Sequence, residues 1–405
     1  MMKKYIWLVM MITCPMTFWG CNHTSTDESK KGTFGYDYHF LKQNVSPIIL
    51  SDKDSSSMII MVPEYQGRVM TSTATGMDGY SFGWINYDLI QSDEINSQFN
   101  AYGGEERLWL GPEGGQYAIF FKPDVSFDFI NWKTPPLIDT EPFNLIGKTK
   151  MSATFTRSAQ LQNYAGYEFS INIKRTVKLL KKGEIGKHLG IPVENLNMVG
   201  YQSANILENA GKERWKNTTG LLSIWMLGMF HPSPEATMII PYQTGSTDSL
   251  GYIVNENYFG GIPDERLRIE NDIIFFKADG KHRGKIGISA KRVKPYAASY
   301  DPLNNTLTIL EVELPEETEK HHYVNSSWEV QEHPYQGDVI NAYNDGPLAD
   351  GSQLGPFYEL ESSSPAMELK PGESIKHIQR TYHFVGHEDT LSTITERLFG
   401  LELSH

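Results

Sequence analysis

Two glutamates near the carboxyl end of the chain, Glu359 and Glu361, have the spacing of residues that share one face of a strand. If this segment is extended, alternate side chains point to the same face of the sheet, so the two carboxylates lie side by side. Neighbouring carboxylates repel each other, and in a partly desolvated cleft the pKa of at least one rises toward the range of a general base. The alternative is that both side chains face water and have no chemical role.

A second polar cluster lies between Ala101 and Gln116, in the sequence AYGGEERLWLGPEGGQ. Its glycine pairs allow the backbone to approach a ligand closely, and Arg107 offers a hydrogen-bonding fork beside the flat ring of Trp109. This combination suits a sugar, whose hydroxyl groups need polar partners and whose CH faces stack on an aromatic ring. The candidate sugar-binding residues of this segment are Glu105, Arg107, Trp109 and Glu113. The alternative is a glycine-rich turn that holds an internal Arg–Glu pair.

Strands must position most of these residues, because runs rich in β-branched and aromatic residues recur along the chain between turn-forming residues. The predicted strands that bear on the site are Ser57 to Pro63, Tyr117 to Lys122, Leu221 to Phe230, Val324 to Val330 and Phe357 to Glu361. Helical periodicity is found at Gly183 to Leu189 and at Leu391 to Phe399. We therefore expect an all-β fold, with two large antiparallel sheets packed face to face and few short helices.

The end of the chain resembles a known superfamily. A strand that carries Leu360-Glu361 is followed by a loop with a proline, by the turn Leu369 to Ser374 and by a final strand from Ile375 to Val385. This sequence resembles the C-terminal hairpin of the aldose epimerase superfamily, the galactose-mutarotase-like proteins. The resemblance implies a β-supersandwich fold. It also implies that Glu361 is the catalytic base that removes the proton of the anomeric hydroxyl, with Glu359 as the alternative if the register differs by two.

Earlier segments resemble the same superfamily more loosely. The stretch Val62 to Val69, which includes Arg68, resembles the N-terminal Gly-Arg turn that reaches the sugar cleft, and Asn205 to Gly211 resembles the mid-chain turn. The chain also resembles a group of uncharacterised bacterial lipoproteins that carry two signatures, here Gly111 to Gly115 and Asn344 to Leu348. The resemblance thus covers most of the chain beyond its leader.

One position departs from the superfamily. Its mutarotases carry a histidine, after the mid-chain turn, that donates a proton to the ring oxygen of the sugar. The corresponding stretch here, Ser223 to Pro232, has Trp225 where that acid is expected. His231 follows several residues later and is the remaining histidine candidate, although it equally fits a loop residue before a proline. A cleft with a base and no acid would bind a sugar or do different chemistry, so mutarotation is left open.

The amino-terminal residues have the pattern of an export signal. Two lysines precede an apolar stretch from Tyr5 to Phe18, which is too short to span a bilayer comfortably, and the sequence Gly20-Cys21 follows. This end resembles the lipobox of bacterial lipoproteins. We therefore expect a signal peptide over residues 1–20, lipidation of Cys21, a flexible tether over 21–31 and a single domain over 32–405. The alternatives are an ordinary cleaved signal peptide and an uncleaved anchor helix.

Charge and composition limit the partners. The formal net charge of −13 repels phosphate backbones and argues against nucleic acid as a partner. We expect no cofactor and no bound metal, although the oxygen-rich segment Asn341 to Gly346 leaves a calcium site open. Membrane contact is expected through the lipid anchor alone, which places the protein in the bacterial cell envelope.

The leading hypothesis for function is a carbohydrate-active lipoprotein that acts on the anomeric centre of a sugar, as an isomerase. One alternative is a non-catalytic glycan-binding lipoprotein, which needs aromatic rings but no titrating groups. The other is a glycoside hydrolase or lyase accessory domain. For that role Glu359 and Glu361 are too close in sequence to straddle a glycosidic bond, so a second carboxylate such as Glu113 would have to face them.

Overall fold

The computed structural model of the chain describes residues 30–193 and 196–403, so the predicted signal peptide, Cys21 and most of the predicted tether lie outside the described residues. The described part folds mainly as antiparallel strands, in sheets of ten, five and three strands. The predicted fold class, a large antiparallel two-sheet sandwich with few short helices, is confirmed. Among the described helices, none combines the length and the apolar character that a membrane span requires.

The secondary-structure elements are numbered in chain order. The strands are β1 (Ile48–Ser51), β2 (Met58–Val62), β3 (Arg68–Thr73), β4 (Arg107–Gly111), β5 (Asn144–Lys148), β6 (Ser152–Gln162), β7 (Glu168–Leu179), β8 (Asn197–Asn209), β9 (Ser223–Phe230), β10 (Thr237–Pro241), β11 (Leu267–Glu270), β12 (Ile273–Lys277), β13 (Gly284–Ser289), β14 (Tyr296–Asp301), β15 (Thr306–Val312), β16 (Asp338–Asn344), β17 (Tyr358–Ser363) and β18 (Ser374–Val385). The helices are α1 (Phe34–Asn44), α2 (Tyr87–Ser92), α3 (Pro136–Asp139), α4 (Lys182–Leu189), α5 (Thr247–Leu250) and α6 (Glu388–Phe399).

Two of the sheets pack face to face. The larger has the strand order β11-β12-β10-β14-β15-β18-β8-β7-β6-β5, and the smaller has the order β13-β16-β17-β9-β4. Buried apolar side chains from both sheets, among them Ile340 and Leu360 of the smaller and Ala297 and Leu310 of the larger, form a common core. The third sheet, β1-β2-β3, packs its apolar side chains against helix α1.

Burial along each strand shows which faces are covered. Strand β9 is buried at every position, as expected for a strand that is covered on both faces. Strand β7 instead alternates between buried and more exposed residues, because only one of its faces packs against the core. Helix α6 places Leu391, Ile394 and Phe399 in a separate apolar cluster with residues of the larger sheet, and it ends at Gly400 in the left-handed conformation.

The register of the smaller sheet decides which side chains share its outer face. Glu361 on β17 lies opposite Asn341 on β16 and opposite Leu227 on β9. Because side chains alternate, Glu359 and Glu361 point to one face and Ser362 points to the other. Ser362 contacts His377 of the larger sheet at 2.7 Å, so its face is the inner one and the two glutamates lie on the outer face.

Three predictions about strands were wrong. The segments Tyr117 to Lys122 and Val324 to Val330 are irregular, and their apolar residues are explained by packing over the outer face of the smaller sheet rather than by strand pairing. Strands β17 and β18 do not form a hairpin, because β17 pairs with β16 and β9 while β18 pairs with β15 and β8. The turn between them, which includes Gly372 at a φ of +80°, therefore carries the chain from the smaller sheet to the larger.

Candidate functional site

Glu361 is fully buried on the outer face of the smaller sheet. Its Oε2 accepts hydrogen bonds from Nε1 of Trp225 and from Nζ of Lys285, both at 2.9 Å. Its Oε1 has no hydrogen-bond partner among the described residues. The carboxylate is therefore held in one orientation by an indole and an ammonium, and one of its oxygens is left without a partner among the described residues.

A cleft lies beside this carboxylate, with about 310 Å³ of empty space, part of which is open to solvent. Its lining residues are Gly111, Ser223, Trp225, Tyr258, Lys285, Val324, Ser326, Asp338, Asn341 and Ser363. The hydroxyl of Ser223 is buried and has no hydrogen-bond partner within the described part of the chain. Buried polar groups normally find partners, so an unpartnered hydroxyl at a cleft indicates a place that a ligand or a water completes.

Lys285 is a site residue that the sequence analysis missed. It lies on β13 opposite Tyr343, and its ion pair with Glu361 is almost completely buried. Its Nζ also lies 4.7 Å from the ring centroid of Trp225 and 5.4 Å from that of Tyr258, within the range of cation–π attraction. A single lysine in a short strand gives no sequence signal of this role, because the signal is its register against β16 and β17.

Two further carboxyl groups belong to the same cluster. Asp338 accepts hydrogen bonds on Oδ2 from the hydroxyl of Tyr258 at 2.7 Å and from Nδ2 of Asn255 at 2.9 Å. Oε1 of Glu113 accepts one from Nε1 of Trp328 at 3.3 Å. Burial raises the pKa of Asp338, and attraction to Lys285 opposes the shift. Burial also raises the pKa of Glu113, although Glu113 is only partly buried. Attraction to Lys285 opposes the shift of Glu113, and the charge on Glu361 adds to it.

Glu359 and Arg107 form a buried salt bridge at 2.7 Å on the same outer face. Burial is the main cause that raises the pKa of Glu359 to about 7, with Arg107 lowering it and Glu361 raising it. The Cζ atom of Arg107 lies 4.4 Å from the ring centroid of Trp109, so the predicted pairing of a guanidinium with this ring is present. Nη2 of Arg107 donates to Glu359, while Nε and Nη1 have no hydrogen-bond partner in the described residues.

Three predicted site residues lie away from the cleft, and these predictions are corrected. Oε2 of Glu105 contacts Nε2 of His383 at 2.6 Å between the sheets; Glu105 precedes the first residue of β4, so it does not follow the alternation of that strand. Arg68 is buried and donates to the carbonyl oxygen of Gly103 at 2.9 Å and to Oε1 of Gln66 at 3.2 Å. His231 follows the last residue of β9 and lines a separate cavity; burial lowers its pKa to about 4.

The segment 321–337, called the strap below, covers the cleft. Its residues Val324 and Ser326 line the cleft, and Trp328 donates to Glu113. Two hydrogen bonds of 2.9 Å join the strap to the loop after β4. Nε2 of Gln116 donates to the carbonyl oxygen of Gln331, and the backbone N–H of Gln331 donates to Oε1 of Gln116. In this arrangement the enclosed part of the cleft holds about one water molecule, so a sugar-sized ligand requires the strap to move outward.

The glycines of the loop after β4 allow the strap to approach closely. A Cβ atom on Gly114 would lie 2.4 Å from the carbonyl oxygen of Ser327 and 2.6 Å from that of Ser326. These glycines were expected to admit a ligand, whereas in the structure Gly114 admits the backbone of the strap.

We therefore expect the substitution Gly114→Ala to displace the strap and to lower the free energy of unfolding by about 1–3 kcal/mol. Chemical denaturation measures the loss, and the tryptophan fluorescence of the folded protein reports the movement of Trp328. Gly147→Ala is the matched control, because a Cβ there meets no atom within 4 Å. Equal stability of the two variants would show that the strap does not depend on this close approach.

Comparison with solved structures gives matches of low sequence identity. The Slr1438 protein of Synechocystis sp. PCC 6803 matches over 84% of this chain and 96% of its own, with a TM-score of 0.51 and 12% identity, so the two proteins share a fold. A galactose mutarotase-like protein from Lactobacillus casei ATCC 334 matches over 84% of this chain and all of its own, with a TM-score of 0.48 and 10% identity. It bears the superfamily name that the C-terminal resemblance predicted, but at that score it carries no argument about activity.

No curated protein matches the chain. The sequence from residue 32 to residue 405 matches DUF6786, a family of unknown function, and the chain therefore belongs to that family.

Proposed function

We propose that the cleft beside Glu361 binds a sugar and that Glu361 acts as a general base on its anomeric hydroxyl. The observation that carries this proposal is the unpartnered Oε1 of a buried, oriented carboxylate, next to a cleft that also holds the unpartnered hydroxyl of Ser223. A sugar hydroxyl donates to the first atom and accepts from the second. The ring of Trp225 in the cleft lining supplies the flat apolar surface that a sugar face requires. The resemblance of the last two strands to aldose epimerases supports the same role for Glu361.

Glu113 is the proton donor in this proposal. Trp225 cannot replace the histidine of the mutarotases as an acid, and its indole N–H is already donated to Glu361. Glu113 interacts electrostatically with both Lys285 and Glu361, and burial raises its pKa, so it favours the protonated form more than an exposed glutamate does. An ionised base and a protonated acid are the two groups that ring opening and closure of an aldose need.

The ion pair with Lys285 favours a second candidate, a non-catalytic glycan-binding protein. The ammonium 2.9 Å from Oε2 and the indole of Trp225 hold the carboxylate so that it can accept a hydrogen bond on Oε1, a role that needs no proton transfer. Polarimetry of freshly dissolved hexoses, together with a glycan array, separates the two functions. Equilibration faster than in buffer supports the enzyme, and binding without acceleration supports the binding protein. If the protein neither accelerates equilibration nor binds a glycan, the sugar proposal is wrong. New reducing ends released from an oligosaccharide would instead point to hydrolysis.

We also propose that the chain is a lipoprotein of the bacterial cell envelope, anchored through Cys21. The support is the sequence itself, with two lysines, an apolar stretch and a Gly-Cys junction. The polar residues that follow lead to helix α1, whose N-cap is Thr33, so the folded part begins only a short distance after the proposed anchor.

Cys21→Ala is expected to abolish incorporation of labelled palmitate and to move the protein from the membrane fraction to the soluble fraction, because the acyl chains provide the proposed attachment. Cys14→Ala is the matched control and is expected to leave both properties unchanged, since that residue lies inside the leader. An uncleaved anchor helix would instead be identified by three results together: the Cys21→Ala variant stays in the membrane fraction, it keeps its full length, and the wild type incorporates no labelled palmitate.

A further inference from the structure

Among the described residues, the charged side chains in the cleft lining are one carboxyl group, that of Asp338, and one cation, that of Lys285. Lys285 is the one basic residue in the lining that the described residues form, and it is paired with Glu361. The hydrogen-bond donors to Asp338 are the neutral side chains of Tyr258 and Asn255. Asp338 is therefore left without a cation at salt-bridge distance in the described part of the chain.

The next cation on the outer face does not change this balance. The guanidinium of Arg107 is 2.7 Å from Glu359, and both side chains are almost completely buried. Arg107 is not among the described residues that line the cleft, and the cation that does line it, Lys285, is paired with Glu361. An anionic ligand would find no unpaired cation in this lining, as far as the described residues form it, whereas a cationic ligand would find Asp338.

The unpartnered atoms show that the cleft is built for a polar ligand and is not only an acidic cluster. The hydroxyl of Ser223 belongs to a residue with no solvent exposure, and it lines the same cleft as Asp338. Oε1 of Glu361 is likewise buried and unpartnered. A ligand with several hydroxyl groups satisfies these atoms, and a charged substituent on it then lies in the cleft that Asp338 lines.

We infer that the cleft selects sugars by charge: it binds an amino sugar more tightly than the neutral parent, and it discriminates against the acidic counterpart. This inference rests on the proposed function, because it assumes that a sugar occupies the cleft. The ammonium group of an amino sugar supplies the cation that Asp338 lacks. The carboxylate of a uronic acid, or a sugar phosphate, is removed from water beside Asp338 and gains no free cation in return.

Calorimetric titration of the full-length protein with two matched sets of sugars tests this inference. One set is glucosamine, N-acetylglucosamine, glucose and glucuronate, and the other is the corresponding galactose series. In the set that binds, the amino sugar is expected to bind about tenfold more tightly than the neutral sugar, and the acidic sugar about tenfold more weakly. N-acetylglucosamine or N-acetylgalactosamine should lose the advantage of the amino sugar, because acetylation removes its charge.

The outcomes separate this inference from the proposal beneath it. If no sugar binds, the proposed function fails. If sugars bind and the acidic member binds as tightly as the neutral one, or the amino sugar has no advantage, charge selection is wrong and sugar binding stands. Asp338→Asn should bring the ratio of neutral to amino-sugar dissociation constants toward one, whereas the exposed control Asp264→Asn should leave that ratio unchanged. The wild-type ranking remains decisive if the Asp338 variant does not fold.

Discussion

Glu361→Gln is expected to reduce the protein-catalysed equilibration of hexose anomers by at least about 100-fold, the low end of what a positioned general base contributes. The amide has nearly the same shape as the carboxylate, and its oxygen still accepts the hydrogen bond from the indole of Trp225. It cannot take the proton of the anomeric hydroxyl. Polarimetry of freshly dissolved hexoses, with the wild type and the variant at equal concentration, measures the effect.

The control for this experiment is Glu265→Gln, which removes the charge of an exposed glutamate. Thermal unfolding should accompany the assay, because Glu361→Gln leaves Lys285 buried without its counter-charge. A folded variant that equilibrates the sugar as fast as the wild type, both faster than buffer, would place the base elsewhere in the carboxyl cluster. Equal rates that do not exceed the rate in buffer would remove the enzymatic proposal and leave the binding one.

The sequence predicted the type of fold because period-two alternation and turn residues are local signals. Strands β2, β9 and β18 fall within a residue or two of the predicted runs. The pairing partner of a strand is not a local property, since the same alternation is satisfied by any neighbour with a matching apolar face. The hairpin of β17 and β18 was implied by the resemblance to aldose epimerases, whereas the loop between the two strands crosses from one sheet to the other.

The same limit explains which site residues were found. Glu361 and Trp225 were predicted from a resemblance along the chain, and the structure joins them by a hydrogen bond of 2.9 Å. Lys285 and Asp338 were missed because they come from β13 and β16, which become neighbours of Glu361 only through register. Glu105 was predicted from its place in a glycine-rich polar cluster, but it precedes the first residue of β4 and bonds to His383 between the sheets.

Two local signals were available and were not used. Helix α1 begins after Thr33, whose hydroxyl accepts a hydrogen bond from the backbone N–H of Tyr36, and a threonine before a helical apolar spacing is a recognised start signal. The strap was predicted as a strand because Val324 to Val330 contains large side chains. Its pair of serines, Ser326 and Ser327, interrupts this run, and in the structure the backbone at these serines packs so closely on Gly114 that a Cβ atom there would lie 2.4 Å from the carbonyl oxygen of Ser327.

The largest effect on stability is expected from Arg175→Met. Arg175 on β7 donates from Nη2 to Oε1 of Glu106 at 2.7 Å, and neither side chain is exposed to solvent. It also donates to the carbonyl oxygen of Gly67 at 3.1 Å and to Oδ1 of Asn205 at 2.9 Å. Oε2 of Glu106 accepts a further bond from Gln379 at 3.0 Å. This network links the larger sheet to the chain that enters β4.

Removing the guanidinium leaves Glu106 buried without a cation, and the free energy of unfolding is expected to fall by about 3–5 kcal/mol. Denaturant titration measures the change against Lys174→Met, an exposed neighbour on the same strand that should change stability by no more than about 0.5 kcal/mol.

The pH dependence of this loss provides an independent check. Burial already raises the pKa of Glu106 in the wild type, with Arg175 opposing the shift, so the variant should raise that pKa further. A carboxyl group whose pKa is higher in the folded state than in the unfolded state destabilises the fold as the pH rises above the unfolded value. The deficit of Arg175→Met relative to the wild type should therefore be smaller near pH 5 than near pH 8. A deficit that is independent of pH would mean that the lost hydrogen bonds and packing, rather than the uncompensated carboxylate, account for the change.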